Sequence, residues 1–328
     1  MSDGRYNMEL PGELRAAVES AAADIPLREL TALAGGLSQR YREQSGTGRS
    51  LLHGEAEAVA YACARMPATY AAVRTALGWA LPGQRAYATM LDVGAGTGAA
   101  GWAAALELDG LCSLTCLERE EGMLRLGERL MRQSAAFAGC EVRWLRGDIA
   151  DGLPAGSYDL VTASYMMNEL TEAGRARLLE QMWSAAAGML LIIEPGTPEG
   201  FRQLRAARRA ITALGGHVAA PCPHEDECPL GADDWCHFTC RVARTRLHRL
   251  LKGGDAPYED EKFAYMAFTR ADAERCGARI LRHPQVEPGR VTLRLCTRAG
   301  LETRPVPKRD KAQFRAARKA DCGDALPD

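Results

Sequence analysis

With 328 residues, 47% of them hydrophobic and 25% charged, the chain has the composition of a globular protein, which excludes disordered, collagen-like and small disulfide-stapled classes. No apolar run approaches the roughly 20 residues of a membrane span, and the start, Met1 to Arg5, lacks a signal-peptide pattern, so a cytoplasmic location is expected, with the eleven cysteines as thiols or metal ligands. The net charge of -1 divides into -8 over residues 1–200 and +7 over residues 201–328, which hold all five lysines, the footprint of a polyanion-binding surface.

Residues 11–80, rich in Ala, Leu, Glu and Arg with Pro26 and Pro67 as punctuation, predict several short helices within an N-terminal helical region, 1–85. From Met90 the texture changes to short apolar runs alternating with amphipathic helices, the pattern of a doubly wound α/β sheet. Strands are predicted at Thr89–Val93, Ser113–Leu117, Val142–Leu145, Tyr158–Ser164 and Met189–Glu194, giving a core over 86–215 that ends in a helix, Pro198–Leu214. A Cys-rich insertion (216–258), a final strand pair (259–300, with runs Phe263–Thr269 and Val291–Cys296) and a basic, helical tail (301–328) complete the organisation.

Leu91-Asp92-Val93-Gly94-Ala95-Gly96-Thr97-Gly98 follows the first strand and opens a helix, so its glycines permit a tight turn and close approach of a nucleotide-like ligand. Glu118 ends the second strand, placed for two ribose hydroxyls. Gly147-Asp148-Ile149 ends the third, with Asp148 for an adenine amino group and Ile149 to cover the ring. This series resembles the motifs of Rossmann-like S-adenosylmethionine-dependent methyltransferases, which implies a seven-stranded sheet closed by the final strand pair. NAD is the competing cofactor, and no separate substrate domain follows to favour it. At the end of the fourth strand, Asn168 and Glu169 are the catalytic candidates, set against a helix cap and an exposed acid.

Cys222, His224, Cys228, Cys236 and His237 fall within sixteen residues. Thiolates select zinc or an iron–sulfur cluster over hard cations, and the absence of close C-x-x-C pairs argues against a zinc ribbon. A fourth ligand comes from among Cys240, Cys276, Cys296 and the histidines. If Val291–Cys296 is the antiparallel last strand, it ends at the edge where the Cys-rich loop begins, which selects Cys296 and a structural metal on the edge opposite the glycine loop.

The strings Ile193-Glu194-Pro195-Gly196-Thr197-Pro198, Ala220-Pro221-Cys222-Pro223-His224, Asp234-Trp235-Cys236-His237-Phe238 and Arg246-Leu247-His248-Arg249, with Tyr258-Glu259-Asp260-Glu261-Lys262-Phe263, resemble the methyltransferase-like proteins of the mitochondrial small ribosomal subunit and their bacterial relatives. The resemblance covers the chain from about residue 50. It implies a [4Fe-4S] cluster on Cys222, Cys228, Cys236 and Cys296, with zinc as the alternative, and association with 16S-type ribosomal RNA of the small subunit in assembly or translation. No DNA or membrane partner is implied, and a monomer is expected off the ribosome. The acidic start, without Arg/Ser patterning, points to a bacterial cytoplasmic member.

Two basic groups suit RNA phosphates: Arg241, Arg244, Arg246, His248, Arg249 and Lys252 after the cysteine loop, and Lys308, Arg309, Lys311, Arg315, Arg318 and Lys319 in the tail. The neighbouring aromatics Trp235, Phe238 and Tyr258 are expected to pack beneath the loop rather than stack on bases. The residues leave three readings: an rRNA methyltransferase, a non-catalytic small-subunit assembly factor that has kept the fold, and a small-molecule methyltransferase.

Overall fold

The computed structural model describes residues 8–44, 52, 54–81, 86–132 and 134–327; of 41–44 only the backbone is described. They form two compact units, Met1–Ile193 with Cys240–Glu261, and Glu194–Thr239 with Lys262–Asp328. This division differs from the five expected segments: the 216–258 stretch is split between the units at Thr239. No described helix is long and apolar enough to cross a membrane.

The first unit opens with four helices, α1 (Gly12–Ala22), α2 (Leu27–Gln44), α3 (Glu55–Ala64) and α4 (Met66–Ala80). Met66, Tyr70 and Leu77 of α4 are fully buried, so the N-terminal region is part of the core rather than an appendage. Then come β1 (Thr89–Val93), α5 (Ala99–Glu107), β2 (Ser113–Glu118), α6 (Glu121–Met131), β3 (Glu141–Arg146), β4 (Tyr158–Ser164), α7 (Glu172–Ala185) and β5 (Ala186–Pro195). These strands lie in the order β3-β2-β1-β4-β5, with Leu91 opposite Thr115 on one side and Val161 on the other, all parallel. Met90 to Val93 are buried without alternation, as a strand covered on both faces requires. Because the order reverses beside β1, the loop after β1 opens at a switch point, where ligands bind in such sheets.

The second unit holds α8 (Pro198–Ala213) and β6 (His217–Ala220), and the chain then passes through β7 (Phe238–Ala243), α9 (Arg246–Lys252) and β8 (Tyr258–Thr269). Thr197 Oγ1 caps α8 by accepting from Gly200 N at 3.1 Å, and Pro198 supplies a preset first turn. β6 pairs antiparallel with β8, Val218 opposite Phe268. The last elements are β9 (Ala278–Ile280), β10 (Gln285–Glu287), β11 (Arg290–Thr297), β12 (Gly300–Pro307), α10 (Lys311–Lys319) and β13 (Ala325–Leu326). They build a separate five-stranded antiparallel sheet, β10-β11-β9-β13 with β12 on β11. Val291, Leu293 and Leu295 alternate into a core that Phe314 and Ala317 of α10 cover, leaving Lys311, Arg315 and Arg318 exposed.

The seven-stranded sheet closed by Phe263–Thr269 and Val291–Cys296 is therefore not what forms. The first run does enter the large sheet, as part of β8 with β6 beside it, whereas the second lies in the small sheet between β12, β10 and β9. The tail holds strand β12 as well as the expected helix. The fold class itself, α/β with a doubly wound parallel core, is as expected.

Candidate functional site

The glycine loop is held open by backbone geometry. Gly94, Gly96 and Gly98 have φ of +67°, +57° and +86°, and a Cβ on Gly98 would stand 2.3 Å from Met131 Cε. Gly94 N and Ala95 N both donate to Leu117 O at 3.0 Å, tying the loop to β2. Glu118 is buried. Its Oε2 accepts from Gly96 N and its Oε1 from Glu120 N, each at 2.7 Å, and burial still holds its pKa above the usual carboxylate value. Asp92, 1% exposed, accepts from Thr162 Oγ1 at 2.7 Å while its Oδ2 has no partner; burial pushes it up to about 7.

A cavity of about 440 Å³ opens on this loop, lined by Gly94, Gly96, Glu118, Asp148, Ile149 and Glu169 among others. Asp92 and Gly98 are buried behind it. Asp148 Oδ1 caps the turn that follows by accepting from Ala150 N at 2.9 Å, and Arg119 lies 3.5 Å from its other oxygen. Glu169 is pushed up to about 7, first by burial and then by Glu118 and Glu120, against the opposing pull of Arg119 4.0 Å away. Asn168, on the same turn, is not in the lining. The lining also includes residues the motifs do not reveal: Tyr61 from α3, and Tyr165, which has φ of +59° and donates from Oη to Glu261 Oε1 at 2.9 Å. A bulky residue in that backbone region directly after a strand is strained, and such strain clusters at ligand sites.

In the second unit Cys222, Cys228, Cys236 and Cys296 line a single narrow, mostly apolar cavity. Cys296 belongs to a buried cluster with Phe201, Leu230 and Leu281, against which Cys228, Trp235 and Cys236 pack. Burial pushes the Cys222 thiol up to about 11 and Cys296 up to about 12, and Cys236 well above its ordinary value. Among the remaining thiols, Cys276 acts electrostatically on Cys222 and Cys296, and Cys322 on Cys236. Cys322 Sγ donates to Leu281 O at 3.3 Å, whereas Cys240 lies in the first unit beside Thr75. His224 Nε2 is 3.6 Å from Cys296 Sγ. Two buried arginines, Arg208 and Arg279, also line the cavity. Trp235 Nε1 donates to Gly196 O at 2.9 Å, and Phe238 packs on Phe263 and Tyr265, so both serve the core as expected. Tyr258 is exposed, with the Arg241 guanidinium 4.0 Å over its ring.

The two basic groups fare differently. Arg241 pairs with Asp260 at 2.8 Å. Arg244 and Lys252 converge on Glu259 at 2.8 and 2.7 Å, beside a fully buried His248, so most of this charge is spent inside the first unit. In the tail, Lys308, Arg309, Lys311 and Arg315 are exposed, and helix α10 contains no acid.

The family model described as "Mitochondrial small ribosomal subunit Rsm22" matches residues 55–327. The chain belongs to the Rsm22 family. It is 26% identical over 318 residues to the human "Ribosome assembly protein METTL17, mitochondrial", covering 90% of this chain and 68% of that protein. It is 27% identical over 226 residues to the "Rsm22-cox11 tandem protein 2, mitochondrial" of Schizosaccharomyces pombe, covering 53% and 30%. Among solved structures it is similar to the magnesium protoporphyrin IX methyltransferase (ChlM) of Synechocystis PCC 6803, with a TM-score of 0.43 and 13% identity over 80% of this chain and 98% of that one. The cytoplasmic expectation is overturned, because the Rsm22 family model and both of these relatives are mitochondrial. It rested on a composition argument at the start of the chain, which reports the pattern of those residues and not an address.

Proposed function

We propose that this Rsm22 protein is a methyltransferase-fold factor that acts on or with the RNA of the small ribosomal subunit during assembly, binds S-adenosylmethionine at the glycine loop, and carries a [4Fe-4S] cluster on Cys222, Cys228, Cys236 and Cys296. The observation that carries the reading is the intact loop cavity, with Glu118, Asp148 and Ile149 in its lining, in a chain matched by the family over residues 55–327. When bound, the cofactor supplies an electrophilic sulfonium methyl group. The chain's own residues then have two roles. Glu118 would orient the ribose, and Glu169, which lines the cavity, would offer a carboxyl acceptor to the ligand.

A cluster suits the thiols better than zinc. Tetrahedral zinc with Zn–S of about 2.3 Å requires sulfurs about 3.8 Å apart. Among the described residues, the group whose ligand atoms all lie within 4.8 Å of one another is His217, Glu225 and Asp272, not any three of these cysteines. Wider spacing favours four thiolates spread over a larger core.

One observation favours a non-catalytic assembly factor as a second reading: of the two candidates after β4 only Glu169 lines the cavity, and Arg119 stands 4.0 Å from its carboxylate. Transfer of labelled methyl groups into purified small subunits or precursor RNA tests this. Incorporation supports the enzyme, and cofactor binding without incorporation supports the factor. For the RNA contact, exchanging Lys308, Arg309 and Lys311 for Gln should flatten the salt dependence of binding by roughly 2–3 in log–log slope. A salt-independent interaction removes RNA from the proposal.

A further inference from the structure

Arg208 and Arg279 are among the most buried charged residues of the second unit, 5% and 4% exposed. A guanidinium does not lose its proton in proteins, so each carries a full charge into the interior. The partners of both are neutral carbonyls. Arg208 Nη2 donates to His224 O at 3.0 Å and Asp226 O at 2.5 Å, while its Nη1 has no acceptor. Arg279 donates from Nε to Pro221 O at 3.0 Å and from Nη1 to Gly323 O at 2.8 Å. Neither has a carboxylate within 4.0 Å among the described residues. A buried cation without an anion is strongly unfavourable, so an anion is expected where these two meet.

Both side chains line the cysteine cavity. Arg208 acts electrostatically on Cys222 and Cys296, and Arg279 on Cys222 and Cys236. We infer that Arg208 and Arg279 are the counter-cations of a dianionic four-thiolate centre in this cavity, and that they set its reduction potential. The inference rests on the cluster reading above. Four thiolates around a core of charge 2+ carry a net charge of -2, which two guanidiniums balance. Were such a centre bound, one electron from a reductant such as dithionite would bring it to -3 with no bond broken, a step that adjacent positive charge favours. The free Nη1 of Arg208 supplies a donor for a sulfur, another lever on potential.

The test uses the full chain, purified anaerobically, with iron and sulfide measured first and the potential then followed by dithionite titration. Arg208→Gln and Arg279→Gln should each lower the midpoint by about 60 mV or more, a tenfold change in the ratio of reduced to oxidised centre for one electron. Arg208→Lys and Arg279→Lys, which keep the charge, should return towards wild type. Unchanged potentials in both Gln variants, with iron still bound, overturn the inference and leave the cluster standing. Wild-type protein without iron removes the cluster reading and this inference together.

The difference between thermal melts of the loaded and the stripped protein gives a readout that packing alone would not move. Arg208→Leu removes the donor of His224 O and Asp226 O in both forms, so it should lower the melting temperature more in the loaded protein than after the metal is stripped by chelator, where the cation has no counter-charge to balance. An equal lowering in both forms assigns Arg208 to packing and hydrogen bonding alone and sinks the inference.

Discussion

The loop cavity and the cysteine cavity solve opposite electrostatic problems. Around the glycine loop, Asp92, Glu118 and Glu169 are held with raised pKa values and Arg119 is the near cation, an environment that favours a positively charged ligand. Around the cysteines the buried fixed charges are Arg208 and Arg279, Arg205 being paired with Glu227 at 3.1 Å, and the groups able to become negative are thiols. One site thus gathers acidic groups and the other basic ones. The sites also differ in assembly. The first is drawn largely from the ends of adjacent strands, whereas the second gathers residues from α8, the loop after β6, β9 and β11.

The sharpest way to break this contrast is Cys296→Ser. It should abolish the broad brown absorbance of an anaerobic preparation and lower its melting temperature, because metal binding is linked to folding of the loop. Cys322→Ser should keep the absorbance, since that thiol is engaged with Leu281 O. Stoichiometric zinc without iron in the wild type would turn the second cavity into a different centre altogether.

Glu118→Ala should weaken S-adenosylmethionine binding by about 1–3 kcal/mol in calorimetry, for hydrogen bonds lost from a charged acceptor. Unchanged affinity would show the cofactor to lie elsewhere.

A smaller effect is expected from pH. Asp92 and Glu169 titrate near 7 in the folded protein, against 3.8 and 4.5 as free groups, so between about 4 and 7 the folded state binds more protons than the unfolded one. Stability contributed by these groups is present at the acidic end and lost as the pH rises through 7. The ligand-free protein should therefore melt at lower temperature at pH 8 than at pH 5.5. Binding of the sulfonium cofactor should strengthen over the same range, more than that of its uncharged demethylated product. Glu169→Gln should flatten both trends, and a melting temperature rising with pH would contradict the charge assignment.

How far the sequence carried each site follows from this difference in assembly. The run from Leu91 to Gly98, the acid at Glu118 and the Gly147-Asp148-Ile149 turn report local backbone needs, so their spacing alone foretells the strand ends that line the cavity. Cys296 was reached by a topology that does not exist. The alternation of Val291, Leu293 and Leu295 announces one buried strand face but not its partners, and those lie in a second sheet. Arg208 did leave a signal: it stands with Phe201, Leu204 and Ile211 on the buried side of α8, where a helix facing solvent has no use for a charge. Arg279 left none, because Ala278, Arg279 and Ile280 are all buried and the short strand shows no alternation. The basic run after Cys240 misled for the complementary reason, as Glu259 and Asp260, which neutralise it, are brought in by a different strand.

The Glu118 carboxylate can be considered by its lone pairs. It has about four acceptor positions, and the N–H groups of Gly96 and Glu120 occupy one on each oxygen. The backbone N–H of Arg119 acts on it as a third donor, which leaves about one position for a ligand hydroxyl. The loop is already pinned to this carboxylate without a ligand, so under the proposed function little ordering entropy is left to lose on cofactor binding. A cofactor analogue missing its ribose hydroxyls would leave part of this buried acceptor unmet, and that cost would set it apart from the full cofactor.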